Sequence, residues 1–314
     1  MNDIASQVHA LLKEMVEYMK HPIDENLYSV NMIKDNLEHE GLSNSLPHFN
    51  LKDDYEFEFF WHLFSYNLPT SFYHYTSFNA IFEIIKSGKI QLSSTVGLND
   101  KYESDFVNKK MGVDSGHLMT TLNANLHFSM SFSKKNDNLN QWRLYGNDGE
   151  GVILEFNLNN PLQNSRKYFI SKVQYDLGVF DIFIAHRKIF NEKHNFSFSL
   201  KNINYWKFFF KHKDYADEEE LRFLVKNVDS NFHNKSPKLY RINRYNILVP
   251  YIEFDLDAKN GQDSFPFKLK SITLGPKMKE KEINKIQIEN FWLDKYPGDP
   301  RIYTVKQSQI LHNR

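Results

Sequence analysis

The sequence feature that most constrains the fold is an acidic segment that runs directly into an apolar stretch. Glu218-Glu219-Glu220 is followed at once by Leu221-Arg222-Phe223-Leu224-Val225, which has the residue types of a β-strand. Read as a strand from Glu218, the alternation of side chains places Glu218, Glu220 and Arg222 on one face. Burying these charges costs free energy unless they are paired or have a function. A solvated acidic turn before a strand is the simpler alternative.

The composition excludes several classes of protein. The 314 residues include no cysteine, so disulfides, thiolate catalysis and cysteine zinc sites are ruled out. A hydrophobic content of 41% with 15% aromatic residues indicates a globular chain with a sizeable core. No window approaches ~18 uninterrupted apolar residues, and the N-terminus does not resemble a signal peptide. We therefore expect a soluble, cytoplasmic protein that does not cross a membrane.

Charge is distributed unevenly along the chain. Residues 1–70 hold 12 acidic and 4 basic side chains, which leaves 27 acidic and 35 basic side chains in the remainder. Such asymmetry indicates that the basic part meets a polyanion or that the two parts attract each other. Lys235, Lys238, Arg241 and Arg244 form one candidate patch for nucleic acid, although a solvated face is the more common meaning.

Hydrophobic spacing predicts two regions. Apolar residues from Ile4 to Met19 recur at helical spacing, a weaker helix follows over 27–37, and 41–47 is turn-like. We predict that residues 1–68 form a helical extension lying on the main domain, with the boundary at Asn67-Leu68-Pro69. Strands dominate residues 69–314 without regular βαβ alternation, which favours an α+β domain.

Two strands and one helix are predicted clearly within the main domain. A short strand over 72–77 leads into a helix over 78–88, with Ser77 or Thr76 as N-cap and Gly88 as C-cap. The segment 126–133 alternates strictly, so its serines share one face that suits the close approach of a ligand. The aromatic and basic run 205–211 is able to stack on nucleic acid, but side chains this dense and apolar favour core.

Most familiar catalytic signatures are absent. The chain has no Rossmann or P-loop glycine pattern, no H-E-x-x-H and no G-x-S-x-G. Asp255-x-Asp257-x-Lys259 fits either a metal-carboxylate cluster of a nuclease or a solvated turn, and the loop around Gly261 favours the turn. His74 is predicted at a strand end near a helix N-terminus, where anions bind readily and where a structural histidine is also common.

Several motifs, taken together and in order, resemble the bacterial family called domain of unknown function 2971. The resemblance covers residues 70–311. It rests on Tyr73-His74-Tyr75-Thr76-Ser77, Asn99-Asp100 with Glu103, Ser131-Phe132-Ser133, Trp142-x-x-Tyr145, Glu218-x-Glu220-Leu221-Arg222, Ile272-Thr273-Leu274-Gly275-Pro276 and Ser308-Gln309-Ile310-Leu311.

That family is similar to a divergent ADP-ribosyltransferase, which implies a split β-sandwich around an NAD cleft and a His–Tyr–Glu site. By this resemblance, His74 contacts the nicotinamide-side ribose, Tyr145 or Tyr75 stacks on nicotinamide, and Glu220 is the catalytic glutamate. Glu218 orients or deprotonates the acceptor. The chain has Tyr215 and Leu221 where the family often has tryptophan, so Glu219 stays an alternative to Glu220. The remaining residues implied to bind the cofactor are Thr76, Ser131, Arg143 and Arg222.

The chemistry of NAD explains why such residues are needed. Breaking the bond between nicotinamide and ribose builds positive charge on the sugar, as in glycoside hydrolysis. A carboxylate beside the ribose stabilises that charge in the transition state, while an aromatic platform suits flat nicotinamide. Arg222 or Arg143 is suited to hold the glutamate or the pyrophosphate.

The resemblance therefore implies transfer of ADP-ribose from NAD to nucleic acid or protein, in a toxin or anti-phage effector, with an antitoxin or regulatory protein as a further partner. No metal is expected. NAD hydrolysis, a metal nuclease and a non-catalytic nucleotide-binding module remain as alternatives.

Overall fold

The computed structural model describes residues 1–65, 67–95, 107, 109–110, 127–158, 168–226, 237–242, 246–256, 265–297 and 304–311. The chain divides into two compact units. The first comprises residues 1–68, the described part of 99–123, and 171–216. The second comprises 69–98, 124–170 and 217–314, again within the described ranges. The chain thus enters the first unit three times.

The first unit combines helices with a small sheet. The helix predicted from Ile4 to Met19 is confirmed, and its buried face includes Val8, Leu12 and Met15. The elements of this unit are α1 (Asn2–Met19), α2 (Val30–Asn36), β1 (Leu37–Ser43), β2 (Leu46–Leu51), α3 (Asp53–Phe64), α6 (Gly178–Lys193), β8 (Ser197–Ser199) and α7 (Ile203–Trp206).

The N-terminal region was predicted to be helical, but part of it forms strands of the small sheet in the first unit, so the prediction was wrong for those residues. β1 pairs antiparallel with β2, and β2 pairs in parallel with β8, which lies far along the chain. β1 has no alternating apolar pattern and is mostly exposed, so its sequence carries no strand signal. The pairing is supplied by distant residues.

The aromatic run 205–211 belongs to the core of the first unit, as predicted. Trp206 is fully buried and packs against the rings of Phe57, Phe60 and Phe64. Its indole N–H donates to Glu56 Oε1, 3.2 Å away. The same carboxylate accepts hydrogen bonds from the backbone N–H groups of Lys201 and Asn202. Glu56 therefore joins α3 to the start of α7 from within the core.

The second unit is built on a ten-stranded sheet in the described part of the chain. Its main path runs β10-β11-β4-β5-β3-β6-β12-β13, with β9 paired to β5 and β7 paired to β9. The strands are β3 (Ser71–Thr76), β4 (Lys89–Ser94), β5 (His127–Ser133), β6 (Val152–Leu158), β7 (Tyr168–Lys172), β9 (Glu220–Lys226), β10 (Leu239–Ile242), β11 (Leu248–Asp255), β12 (Phe267–Leu274) and β13 (Thr304–Gln307). The helices are α4 (Phe78–Ser87), α5 (Leu139–Leu144) and α8 (Lys281–Lys295).

The predicted local signals of this unit are confirmed. Ser77 caps α4 by accepting the Ala80 N–H, and Gly88 ends the helix with φ of 70°. The alternating segment before Ser133 forms β5. The α+β class is confirmed by the mixture of sheets and helices.

The sheet splits along one edge of β5. One edge pairs with β9 over the whole strand, from His127 opposite Lys226 to Ser133 opposite Glu220. The other edge pairs with β4 near Ser129 and with β3 only at Ser133. Between these points, no other described strand pairs with this edge of β5. We call this gap between β3 and β4 the sheet split.

One face of the sheet forms the aromatic core of the second unit. Phe72, Phe132 and Phe267 meet edge to face, with ring centroids 4.8 to 5.6 Å apart. Phe223 on β9 joins them 5.0 Å from Phe267. Because strand side chains alternate, the neighbouring residues of β5 and β9 are turned to the opposite face. That face carries Ser129, Ser131 and Ser133 of β5. It also carries Glu220 and Arg222 of β9, which lie opposite Ser133 and Ser131 in register.

Candidate functional site

The first feature of the site is a buried ion pair at the start of β9. Arg222 Nε lies 2.8 Å from Glu220 Oε1, and Arg222 Nη2 lies 3.0 Å from Glu220 Oε2. The side chains are only 1% and 4% exposed. Opposite them in register lie Ser131 and Ser133. The serine face of β5 and the face of β9 that carries Glu220 and Arg222 therefore lie side by side, and a two-pronged guanidinium contact fixes the carboxylate.

Glu218 reaches the site by a different route from the one predicted. It does not lie on a strand: a 3-10 turn over Lys213–Glu218 ends at this residue, and β9 begins only at Glu220. Glu219 between them has a positive φ of 42°. The prediction that Glu218 shares a strand face with Glu220 by alternation was wrong, because the positive φ of Glu219 interrupts the extended backbone between them.

The turn is held by β5 and α5. The Glu218 carbonyl accepts a 2.8 Å hydrogen bond from Ser133 Oγ and a longer one from Gln141 Nε2. The Glu219 side chain is exposed and lies 3.4 Å from Lys135 Nζ. Of the three consecutive glutamates, the outer two are buried and the middle one faces solvent.

Tyr145 joins the turn through its hydroxyl, which donates to Glu218 Oε1 at 2.5 Å. Its ring is partly buried and packs against a small core cluster that contains Tyr75 and Trp142. Tyr75 is itself buried, meets Trp142 edge to face, and accepts the Asn138 N–H while donating to the Lys135 carbonyl. Burial raises the pKa of Tyr75 well above its usual range. Tyr75 thus packs beneath the site, and Tyr145 is the more accessible of the two rings.

The motifs around Trp142 and Ser308 position α5. Trp142 Nε1 donates to Asp137 Oδ1 at 2.8 Å, and Ser308 Oγ donates to the same oxygen at 2.6 Å. Nearby, the backbone crosses itself so closely that a Cβ at Gly151 would lie 2.2 Å from the Thr76 carbonyl oxygen. Only glycine fits there. These contacts fix the segment that carries Tyr145.

His74 lies at the sheet split. Its Nδ1 donates to the Ser131 carbonyl at 2.9 Å, which leaves Nε2 as a hydrogen-bond acceptor. Burial lowers the pKa of His74, the hydrogen bond to Ser131 opposes this effect, and the charge of Arg241 lowers the pKa further. The ring stands 6.0 Å from Phe132, on the aromatic side of the sheet. His74 therefore touches the backbone of β5, while Glu220 and Arg222 lie on the opposite face.

The other predicted site residues fall into two groups. Ser131 and Arg222 are partners in register, whereas Thr76 lies at the end of β3 and Arg143 is exposed on α5. Asn99, Asp100 and Glu103 lie outside the described residues. So the structure brings Tyr145, Glu218, Glu220, Arg222 and the β5 serines together, with His74 at the neighbouring split.

The structure describes only some of the residues proposed for the alternative functions. Lys238 and Arg241 of the candidate basic patch are described, but Lys235 and Arg244 are not. Asp255 is exposed at the end of β11, and Asp257 and Lys259 lie outside the described ranges. Within those ranges, no three His, Cys, Asp or Glu side chains are grouped so that they could hold a metal ion.

The comparisons with known proteins locate the resemblance at this site. Residues 141–223 match the family model described as protein of unknown function (DUF2971). This match supports the DUF2971 family. It runs from the helix before Tyr145 to the strand that contains Glu220 and Arg222, although the family description names no activity. No curated protein and no solved structure matches the chain. Among the described residues, no helix is both long enough and apolar enough to span a bilayer.

Proposed function

We propose that this chain transfers ADP-ribose from NAD to a macromolecular acceptor, either nucleic acid or protein. The observation that carries the proposal is a pair of buried carboxylates: Glu220 at the start of β9 is bonded to Arg222, and Glu218 just before the strand is bonded to Tyr145. β9 pairs with the edge of β5 opposite the sheet split. The family resemblance implies a split β-sandwich with such a carboxylate at its cleft. The divergence of β3 and β4 along β5 supports that architecture.

Glu220 is the residue we assign to the transition state. The bond between the nicotinamide nitrogen and ribose C1′ breaks, its electrons pass to nicotinamide, and positive charge develops on the sugar. Arg222 fixes both carboxylate oxygens in one orientation, and we assign the hydrogen bond from the ribose 2′-hydroxyl to this carboxylate. A preorganised carboxylate lowers the free energy of that charge selectively in the transition state.

In this proposal Tyr145 binds the nicotinamide ring and Glu218 activates the acceptor. The Tyr145 ring provides a platform for nicotinamide, and its hydroxyl holds the Glu218 carboxylate in place. Glu218 accepts the proton of the acceptor nucleophile as that nucleophile bonds to C1′. His74 lies on the other face of the sheet from Glu220, and its Nδ1 donates to the Ser131 carbonyl, so we assign it to positioning β5 and not to the ribose that Glu220 contacts.

We infer the class of acceptor from the distribution of charged residues along the chain, because the residues of the site do not indicate it. The part of the chain beyond residue 70 has an excess of basic side chains, which favours a polyanionic acceptor such as RNA. A toxin or anti-phage effector fits such an activity, and an antitoxin or regulatory protein would then be its partner.

The test is the release of nicotinamide from NAD by wild type, Glu220→Gln and Glu219→Gln. Glu220→Gln keeps the size and one hydrogen bond to Arg222, so we expect a folded protein with a rate lowered by about 10²–10³. Glu219→Gln removes an equal charge from an exposed neighbour and should retain the wild-type rate. Equal rates for all three proteins, or a loss only with Glu219→Gln, would reject the assignment.

A further inference from the structure

Arg241 has an unusual position for an arginine on an edge strand. Its partner in register is Val249 of β11, yet its guanidinium extends across β11 to side chains of β4. Nη1 donates to Gln91 Oε1, and Nη2 donates to Ser93 Oγ at 2.6 Å. On the way, the guanidinium covers the ring of Tyr251, 5.4 Å from its centroid. Two hydrogen bonds and a stacked ring hold this cation in one orientation.

The charge of Arg241 is not neutralised within the described ranges, where no carboxylate lies within ion-pair distance. Gln91 and Ser93 are neutral acceptors, and they occupy only two of the five N–H donors of the guanidinium. The residue is also exposed. An oriented arginine with spare donors and no acidic partner is suited to bind an anion in two-pronged fashion.

The surroundings of Arg241 connect it with the sheet split. Ser93 is opposite Ser129 in register, so both side chains lie on the same face as Ser131. Ser129 is only 4% exposed, and its hydroxyl has no hydrogen-bond partner in the described part of the chain. His74 on β3 and Arg241 on β10 belong to strands on either side of the split, and the charge of Arg241 lowers the pKa of His74.

We infer that Arg241, oriented by Gln91 and Ser93, forms a phosphate subsite that holds the pyrophosphate of the dinucleotide. This inference rests on the proposed function and specifies how the substrate is anchored. Arg222 is not available for this role because Glu220 takes up its guanidinium, and Arg143 has no contact that fixes it in the described residues. The anchor lies on β4, β10 and β11, on the far side of the split from β3.

Binding of ligands that differ in phosphate content tests the subsite. ADP-ribose carries the pyrophosphate, nicotinamide mononucleotide carries one phosphate, and nicotinamide riboside carries none. We expect Arg241→Ala to weaken ADP-ribose binding by about tenfold to hundredfold in calorimetry, with no effect on the riboside. Arg241→Lys should recover part of the affinity, because it restores the charge without the fork. Lys268→Ala, which removes an exposed positive charge from β12, is the control and should bind as wild type.

The kinetic consequence is a raised KM for NAD with kcat changed by less than about threefold, as expected for a group that binds substrate and transition state equally. Wild-type binding of ADP-ribose that Arg241→Ala leaves unchanged would overturn the subsite while leaving the transferase proposal standing. Failure of wild type to bind ADP-ribose would overturn the subsite, whereas Arg241-dependent binding of ADP-ribose without any release of nicotinamide would overturn the transferase proposal alone. A loss of riboside affinity equal to the loss of ADP-ribose affinity would show a structural role for Arg241 and contradict the inference.

Discussion

Each unit of the chain buries a carboxylate, but the two are satisfied in different ways. Glu56 in the first unit is fully buried among three neutral donors, two of them backbone N–H groups and one the indole of Trp206. Glu220 in the second unit is almost as deeply buried but lies opposite a guanidinium. Burial alone therefore does not indicate function. A carboxylate satisfied by fixed neutral donors joins parts of a core, whereas one held by a guanidinium beside the serines of β5 is suited to act on a ligand.

Removing the arginine should produce the largest effect. Arg222→Met leaves Glu220 as an uncompensated buried charge, so we expect the free energy of unfolding to fall by about 3–5 kcal/mol in urea titrations. Lys226→Met makes the same change at the exposed end of the same strand and should cost less than about 0.5 kcal/mol. Equal losses for the two variants would mean that the Glu220–Arg222 pair is not sealed from water, and the comparison with Glu56 would fail.

Removing the neutral-donor carboxylate should have the next largest effect. Glu56→Ala leaves one buried and two partly buried donors without an acceptor, and we expect a loss of about 3 kcal/mol in the free energy of unfolding. Glu58→Ala on the same helix is the control, because that side chain is exposed. Release of nicotinamide by Glu56→Ala should continue at the wild-type rate under conditions in which the variant is folded. A selective loss of turnover would show that Glu56 takes part in the chemistry, and Glu56 and Glu220 would then no longer differ in role.

The pH dependence of stability should show the most specific effect, because it is spread over several pH units and depends on one group. Burial raises the pKa of Glu56 to about 7 from its ordinary value of 4.5, against the opposing effect of its three hydrogen bonds. Between these pH values the folded chain binds one proton that the unfolded chain has lost. The contribution of Glu56 therefore makes the free energy of unfolding fall as pH rises through this window, by up to about 1.4 kcal/mol per unit, with no further change above pH 7.

Urea titrations of wild type and Glu56→Gln across that window check the sign. The glutamine variant should have the flatter profile, since its amide does not titrate, while Glu58→Gln should follow wild type. Identical slopes for wild type and Glu56→Gln would show that Glu56 is ionised in the folded chain throughout the window.

Local signals in the sequence predicted much of the second unit. The alternation before Ser133, the cap at Ser77 and the glycine at 88 each act within a few residues, so the sequence pattern contains them. The shared face of Ser129, Ser131 and Ser133 and the shared face of Glu220 and Arg222 also followed from side-chain alternation on their strands. These are the parts of the site for which a two-residue period is sufficient.

Other parts depend on contacts between distant residues and could not be read locally. The exposed strand β1 exists because β2 pairs with it, and β2 is in turn paired with β8. Glu219 takes its left-handed conformation where Ser133 and Gln141 hold the preceding carbonyl. The conformational propensity of glutamate does not predict this left-handed backbone at Glu219. Arg241 was predicted only as one member of a basic patch, because its bonds to Gln91 and Ser93 cross a whole strand.

Transfer of ADP-ribose to a macromolecule can be tested directly with NAD that carries two labels, one in the adenine and one in the nicotinamide. After incubation with total cellular RNA and protein, the account predicts adenine label bound covalently to one of these fractions and nicotinamide label free in solution. Both should be lost together with Glu220→Gln and retained with Glu219→Gln. Free ADP-ribose with no labelled macromolecule would show hydrolysis in place of transfer. Intact NAD in every sample of folded wild-type protein would contradict the account.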